Sequence, residues 1–316
     1  MNKISFLITI VFTTLYFESE AQFNYISLEK SGELSKRTII IELFDELTGE
    51  EKTANENIIN YFQKNLSIGI GIICKTRTEM TELLLDHQEK YAIITHELGT
   101  HSIQSVNRYK TIDGKRTTAG DPNGFKYNNI LGTLKHYDLT LAIVSENSKI
   151  NGFVTSVGFV HYILRAEDYV FASLQFNRLY NASLNKTKKG DYYDPKKAIE
   201  NLQKKTWLID KKNINFTIDK ADGYDFSHKF VEYEVIRKSV LEKEPRKVFA
   251  LMMWSDQANT YMWILCDTET GEILSQVAHG GVNYSEFGEH EPPGKLNLIH
   301  YKSFDSVMVN KINNKY

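Results

Sequence analysis

Two stretches of the chain open in the same way, and they decide the predicted fold. Residues 36–42 read KRTIIIE, and residues 204–210 read KKTWLID. In each, basic residues and a threonine lead into a short apolar run, which is typical of a buried strand. The segments that follow the two openings are also similar, so we interpret the openings as the starts of two related units.

Strand and helix patterns alternate after each opening. In the first half we predict a helix at 55–64 and a strand at 68–74. A second helix starts at Thr78, and a second strand is predicted at 91–95. In the second half we predict a strand, a helix and a strand at 230–236, 238–244 and 248–254. Two later strands also match between the halves: 137–144 resembles 261–266, and 152–156 resembles 271–275. The sequence therefore predicts an α/β or α+β fold of two tandem strand-helix units with mixed sheets.

A helical connector is predicted between the units. Residues Glu167–Leu184 carry one apolar face, formed by Val170, Phe171, Leu174 and Leu179. A polar linker follows and ends at Asp194-Pro195, a favourable cap and first-turn pair for a helix. The predicted organisation is a signal peptide at 1–21, a first unit with the connector at 22–186 and a second unit at 187–316.

The KKTWLID opening, the alternation of strands with helices and the doubled layout resemble those of uncharacterised exported envelope proteins of bacteria. The resemblance covers most of the chain after residue 21 and rests on pattern. It implies an envelope location and no named activity, and it transfers no functional residue.

The N-terminus has the three parts of a secretory signal peptide. Met1–Lys3 is basic, Ile4–Phe17 is apolar, and Ser19-Glu20-Ala21 places small residues at −3 and −1 of a cleavage point before Gln22. The apolar run is too short to span a membrane comfortably. We therefore expect export to the periplasm or the cell surface. In an oxidising compartment Cys74 and Cys266 could pair, or they could remain buried free thiols.

Charge and motifs exclude several classes of function. With 38 basic and 40 acidic residues the formal charge is −2, so the chain has no basic excess to attract a nucleic acid backbone, and we expect no nucleic acid partner. After the signal peptide no segment is apolar enough to span a bilayer. The sequence has no G-x-S-x-G, no C-x-x-C and no phosphate-binding loop, and we predict no cofactor. The expected partner is an envelope protein or a glycan.

A long insertion distinguishes the first unit from the second. It runs from His96 to His136 and contains an Asp-Gly hairpin at 109–118. A loop of this length is a candidate binding region or a tolerated surface hairpin. Because arginine and aromatic residues anchor interfaces, we predict contact residues here. They are Arg108, Tyr109, Lys110, Lys115, Arg116, Phe125 and Tyr127.

The stretch THELGTHSI at 95–103 resembles a zinc protease helix but has the wrong spacing. Such a helix needs two histidines four residues apart, whereas His96 and His101 are five apart with Gly99 between them. We therefore interpret this stretch as a polar loop at the end of a strand. The alternative is a metal site of His96, Glu97, His101 and His136.

Taken together, these patterns predict a non-catalytic exported envelope or surface protein with a binding or structural role. The alternative is a metal-dependent hydrolase of envelope polymers that uses the histidine loop. Convergence of His96, His101 and His136 on one point would favour the hydrolase.

Overall fold

The computed structural model describes most of the chain after residue 25. The described residues are 26–106, 109–112, 115–118, 127–144, 152–186, 195–221, 226–255, 260–278, 288–290, 295–298, 300–302 and 304. For 101–134 we describe the backbone alone. The predicted signal peptide and the predicted unit boundary at 187–194 lie outside the described residues, and both stay predictions.

The first unit consists of three parallel strands extended by an antiparallel pair. Strand β1 (Thr38–Leu43) lies between β2 (Gly71–Thr76) and β3 (Tyr91–Val106) and runs parallel to both. Strands β6 (Tyr127–Ile143) and β7 (Gly152–Phe159) follow β3 in antiparallel pairing. The strand order is therefore β7-β6-β3-β1-β2.

The second unit repeats this order. Strand β8 (Thr206–Asp210) runs parallel to β9 (His228–Val231) on one side and to β10 (Lys247–Ser255) on the other. Strands β11 (Thr260–Asp267) and β12 (Ile273–Ala278) follow β10 in antiparallel pairing. The order β12-β11-β10-β8-β9 matches that of the first unit. The predicted fold class, α/β or α+β with mixed parallel and antiparallel strands, is confirmed.

The two units share one sheet, in which the second unit is turned over. Met253 of β10 pairs with Phe159 of β7 in antiparallel direction, so the parallel strands of the two units run in opposite directions. Ile39 of β1 lies in the largest apolar core, whereas its equivalent in the repeat, Trp207, lies in a second core. With strand β13 (Gly288–His290) on β6, the described sheet has 11 strands.

Helices cover both faces of the sheet. They are α1 (Leu28–Leu34), α2 (Gly49–Asn57), α3 (Arg77–His87), α4 (Ala166–Leu184), α5 (Pro195–Gln203) and α6 (Tyr233–Leu241). Helix α2 continues through a π-helical turn at Ile58–Phe62 into Gln63–Asn65, and 3₁₀ turns occupy Gln88–Lys90 and Ile218–Ala221. Thr48 and Thr76 begin α2 and α3 with capping boxes, which supply partners for otherwise unpaired N–H groups.

Helix α4 is the predicted connector, and it lies at the centre of the largest core. Phe171, Phe176 and Leu179 are buried there, together with strand residues from both units. The helix contacts α1 and the π-helical turn of the first unit and α6 of the second. The apolar face predicted for α4 is therefore the face that joins the two halves.

Two predicted element boundaries are wrong. Strand β3 does not end at His96 but continues to Val106, because β6 pairs with it from Ala92 to Val106. Together β3 and β6 form a long arm, which leads to the predicted hairpin of β4 (Tyr109–Ile112) and β5 (Lys115–Thr118). Residues 233–236, predicted as strand, form the first turn of α6, where Ile236 packs into the main core.

Both cysteines are free thiols, on β2 and β11. Burial raises the pKa of Cys74 to about 11, so this thiol stays protonated at neutral pH. In the described part of the chain, no helix combines the length and the apolar character needed to span a membrane.

Candidate functional site

The carboxyl end of β1 lies at a switch point in the strand order of the first unit. Strand β1 lies between β2 and β3, so the connections after β1 and after β2 leave in opposite directions along the sheet. Ligands of α/β sheets bind at such a switch point, outside the carboxyl ends of the strands. Here β1 ends beside the start of α3 and beside β3 as it continues into the arm.

A buried carboxylate organises this end of the sheet. Glu42 accepts hydrogen bonds from Arg77 Nε and, at 3.1 Å, from the backbone N–H of His96. The Glu42 side chain is 7% exposed, whereas that of Arg77 is 66% exposed. The hydrogen bond and the charge of Glu42 raise the pKa of Arg77, and the charges of Asp45 and Glu97 add to this effect. Glu42 therefore holds an exposed guanidinium above the end of the sheet.

His96 belongs to a neutral aromatic group on one face of the sheet. Its Nε2 lies 3.2 Å from the hydroxyl of Tyr169 on α4, and its ring lies 4.6 Å from the ring of Phe44. Burial, and then the charge of Arg77, lower the pKa of His96 to about 3. Burial also raises the pKa of Tyr169. At neutral pH this pair is an uncharged hydrogen-bonded contact between β3 and the connector.

The opposite face of the same strands carries polar side chains in rows. Thr95, Thr140 and Ser156 occupy paired positions on β3, β6 and β7 and form a row of three hydroxyls. Beside it, Glu97 of β3 pairs directly with Asp138 of β6. Next along β6 is His136, whose Nε2 lies 3.3 Å from Asp138 Oδ2. We call the six residues the polar rows; they are Thr95, Glu97, His136, Asp138, Thr140 and Ser156.

Burial distinguishes the polar rows from an ordinary solvated strand face. The three hydroxyl residues and His136 are buried, while Glu97 is exposed and forms the open end of the rows. Thr95 Oγ1 donates to Glu97 Oε1 at 3.2 Å. Like charges directly opposite on paired strands are destabilising. Glu97 and Asp138 place two carboxyl groups opposite each other in this way, and His136 lies beside Asp138.

Two glycines make room for the side chains of these rows. The imidazole of His136 lies over Gly99, where an added Cβ would be 2.0 Å from Nε2. A Cβ on Gly158 would be 2.9 Å from Asp138 Oδ1. On its other side His136 stacks on Trp254 of the second unit, with ring centroids 4.5 Å apart. Gly99, which in the sequence argued against a helix, is required because His136 crosses β3 at this point.

The equivalent end of the second unit is filled by the chain itself. When the two units are aligned, Asp210 at the end of β8 corresponds to Glu42 at the end of β1. Tyr233, the first residue of α6, corresponds to Arg77, the first residue of α3. The guanidinium of Arg165, just before α4, lies 5.3 Å from the centre of the Tyr233 ring, and the charge of Asp210 also acts on it. Arg165 in addition pairs with Glu167 and Asp168. The connector thus occupies one carboxyl end, whereas the other presents exposed Arg77.

The residues of the metal hypothesis are divided by the sheet. His96 pairs with Leu139 and Gly99 with His136, so the alternation of the strands places His96 and His136 on opposite faces. Glu97 shares the face of His136. His101 lies farther along β3, where only the backbone is described. Among the described residues, no group of three or more His, Cys, Asp or Glu side chains could hold a metal ion.

Five of the seven predicted contact residues lie on described strands. Strands β4 and β5 carry Tyr109, Lys110, Lys115 and Arg116, and Tyr127 begins β6. Arg108 and Phe125 lie outside the described residues. The contact role of all seven stays a prediction.

Sequence reasoning missed most of the polar rows. It named Glu97 and His136 but not Thr95, Asp138, Thr140 or Ser156. A signal was present: His136, Asp138 and Thr140 alternate with Tyr137, Leu139 and Leu141. This period of two places the polar residues on one face of a strand and the apolar residues on the other.

No family model matches the chain, and neither a curated protein nor a solved structure matches it. Function is therefore inferred from the chemistry of these residues.

Proposed function

We propose that the protein is an exported, non-catalytic binding protein of the cell envelope or cell surface, and that its polar rows bind a glycan. The export rests on the signal peptide pattern at 1–21. The observation that carries the binding role is the set of rows itself: paired hydroxyls and paired carboxylates on three adjacent strands of a largely apolar sheet.

The chemistry of the rows suits a polyhydroxylated ligand. Threonine and serine hydroxyls both donate and accept hydrogen bonds, whereas carboxylates accept only. Sugar hydroxyls also do both, so a glycan can satisfy the two kinds of partner at once. Glu97 is exposed at one end of the rows, and Thr140 and Ser156 lie buried behind it. Polar groups that converge in a mostly apolar setting are the usual source of orientation in a binding site.

His96 and Glu42, the acid-base groups beside the rows, are not free to act as catalysts. A general base should have a pKa near the working pH. Burial lowers the pKa of His96 to about 3, so His96 is a poor base at neutral pH. Glu42, the carboxylate best placed beside it, is held by Arg77 and by the His96 N–H. These groups fix the end of the sheet beside the rows.

The test is isothermal titration calorimetry with defined glycans. We would titrate disaccharide and tetrasaccharide fragments of peptidoglycan, and neutral oligosaccharides of glucose and N-acetylglucosamine. Thr140→Val removes one hydroxyl from the rows at nearly constant volume. Loss of one ligand hydrogen bond, about 0.5–1.5 kcal/mol, should weaken the association two- to tenfold.

The matched control is Thr155→Val. Thr155 is a buried hydroxyl residue on β7, next to Ser156 but on the opposite face of the sheet. The Thr155→Val variant should bind the glycan with the affinity of the unchanged protein. Absence of heat with all of these glycans at millimolar concentration would exclude the glycan role. Equal weakening by both variants would show that the rows do not contact the ligand.

A further inference from the structure

We infer that the protein associates with a second copy of itself, and that the β4–β5 hairpin of each copy contacts the carboxyl end of the first unit in the other. This inference goes beyond the proposed glycan binding and concerns the other face of β3. It rests on an exposed apolar patch, on the charge around it and on the reach of the arm.

The apolar patch is a continuous group of side chains at the base of the arm. Leu98 pairs with Tyr137 across β3 and β6. The ring of Tyr137 lies 5.4 Å from that of Tyr162, which in turn lies 5.6 Å from that of Phe44. Leu98 is 57% exposed and Tyr162 is 47% exposed. An exposed group of this kind marks an interaction surface more often than a scattered leucine does.

Acidic residues border the patch on the side of β1. Between Glu42 and Glu51 the chain carries five acidic residues and no basic one, and one of the five, Glu42, is paired with the exposed guanidinium of Arg77. Asp45, Glu46 and Glu50 are exposed, and so is Leu47, at 83%. The charge of Glu51 acts on Tyr162, which connects this segment to the patch. The surface therefore fits a partner that combines apolar residues with positive charge.

The hairpin of this same chain has that composition. Between Tyr109 and Thr118 it carries Lys110, Lys115 and Arg116 against one acid, Asp113. Its strands also carry the apolar residues Tyr109 and Ile112, and the two strands pair in register. Positive charge placed against negative charge favours association and fixes its register.

The outer half of β3 separates the hairpin from the patch along the chain. From Leu98 to Val106 strand β3 rises eight residues, or about 27 Å at the spacing of antiparallel strands. The hairpin begins three residues later in the sequence, at Tyr109. A second copy related by a twofold axis brings its hairpin to the patch and receives the first hairpin in return. Such an exchange closes and forms a dimer.

Sedimentation velocity of the purified protein tests the dimer. We expect a concentration-dependent dimer in 50 mM NaCl that weakens in 500 mM NaCl, because salt screens exposed charges. Lys115→Glu/Arg116→Glu should raise the dimer dissociation constant at least about tenfold, since like charges then face each other. The matched control, Lys64→Glu/Lys229→Glu, reverses two exposed lysines elsewhere and should leave the dimer unchanged.

A charge exchange makes the test specific to this pairing. Asp45→Lys/Glu50→Lys reverses the border of the patch and should also be monomeric. Each double variant alone places like charges together, but a mixture of the two restores both contacts and should form a heterodimer. Circular dichroism would confirm that both variants fold. A monomeric unchanged protein at 100 μM in low salt, a dimer insensitive to hairpin reversal, or no heterodimer on mixing would each overturn the inference.

Discussion

Gly99 and His136 show how a single residue is set by its neighbour across the sheet. The imidazole of His136 occupies the space where a side chain at position 99 would begin. It is fixed there by Asp138 and by the stacked ring of Trp254. The identity of position 99 is therefore determined by a residue 37 positions farther along the chain.

Gly99→Ala should destabilise the protein by about 1–3 kcal/mol, the usual cost of overpacking. Gly49→Ala is the control, because nothing lies within 4 Å of a Cβ at that position. Urea unfolding followed by circular dichroism gives both values. In a Gly99→Ala/His136→Ala variant the clash is gone, so the double variant should cost less than the sum of the single changes. Additive costs would contradict the assigned contact.

His96 should make the stability depend on pH. Its pKa is about 3 in the fold and about 6.5 in an unfolded chain. Between these values the unfolded state binds a proton that the folded state does not, so stability is lost as the pH falls from about 6.5 towards 3. His96→Gln removes the group that binds this proton in the unfolded chain. For each pH unit, the free energy of unfolding of the variant should fall by up to about 1.4 kcal/mol less than that of the unchanged protein.

The measurement is urea unfolding at several pH values between 7.5 and 4.5. Groups such as Glu167, whose pKa burial raises to about 6, titrate in both proteins and cancel in the difference. His87→Gln changes an exposed histidine and serves as the control. A parallel pH profile for His96→Gln and the unchanged protein would contradict a neutral His96 in the folded state.

At the scale of elements, strand pairing overrides local pattern. The polar residues and the glycine of 95–103 indicated a loop, yet β3 continues because β6 supplies a hydrogen-bonding partner along its length. Residues 233–236 alternate as a strand would, yet they form a helix on the largest core. The connector α4 was predictable because its apolar positions repeat over 19 residues with helical spacing.

The buried face of the connector should contribute more to stability than its exposed end. Phe176 is fully buried in α4, 6.0 Å from the ring of Phe62 in the first unit. Phe176→Ala should cost about 3–5 kcal/mol. Leu184→Ala, at the end of the same helix and 40% exposed, should cost less than about 1 kcal/mol. Urea unfolding followed by circular dichroism compares them, and equal costs would show that α4 does not hold the core.

For the whole molecule, the turned-over repeat makes one core out of two units. Because the second unit is inverted, its α6 lies on the same face of the sheet as α4 and the first unit's α2. The largest core accordingly contains Ile41 and Ile94 from the first unit beside Phe249 and Ile264 from the second. We expect the units to unfold together.

The tryptophans make this testable, since all three lie in the second unit, at 207, 254 and 263. Ile41→Ala removes a buried side chain from β1 in the first unit and should cost about 2–5 kcal/mol. If unfolding is cooperative, the urea midpoint seen by tryptophan fluorescence should fall as far as the midpoint seen by circular dichroism. An unchanged fluorescence midpoint would mean that the second unit unfolds independently.

The sequence by itself determined the class of fold, the repeat and the connector. These depend on local periodicity and on the similarity of residues 36–42 to 204–210, and both can be read along the chain. The tertiary structure alone decided that the second unit is turned over, that β3 continues into an arm and that the polar rows form. Each depends on which strands pair and in which register, and a shift of one residue would move every side chain to the other face. Thr95, Thr140 and Ser156 are far apart along the chain, and only the pairing of β3, β6 and β7 makes them neighbours.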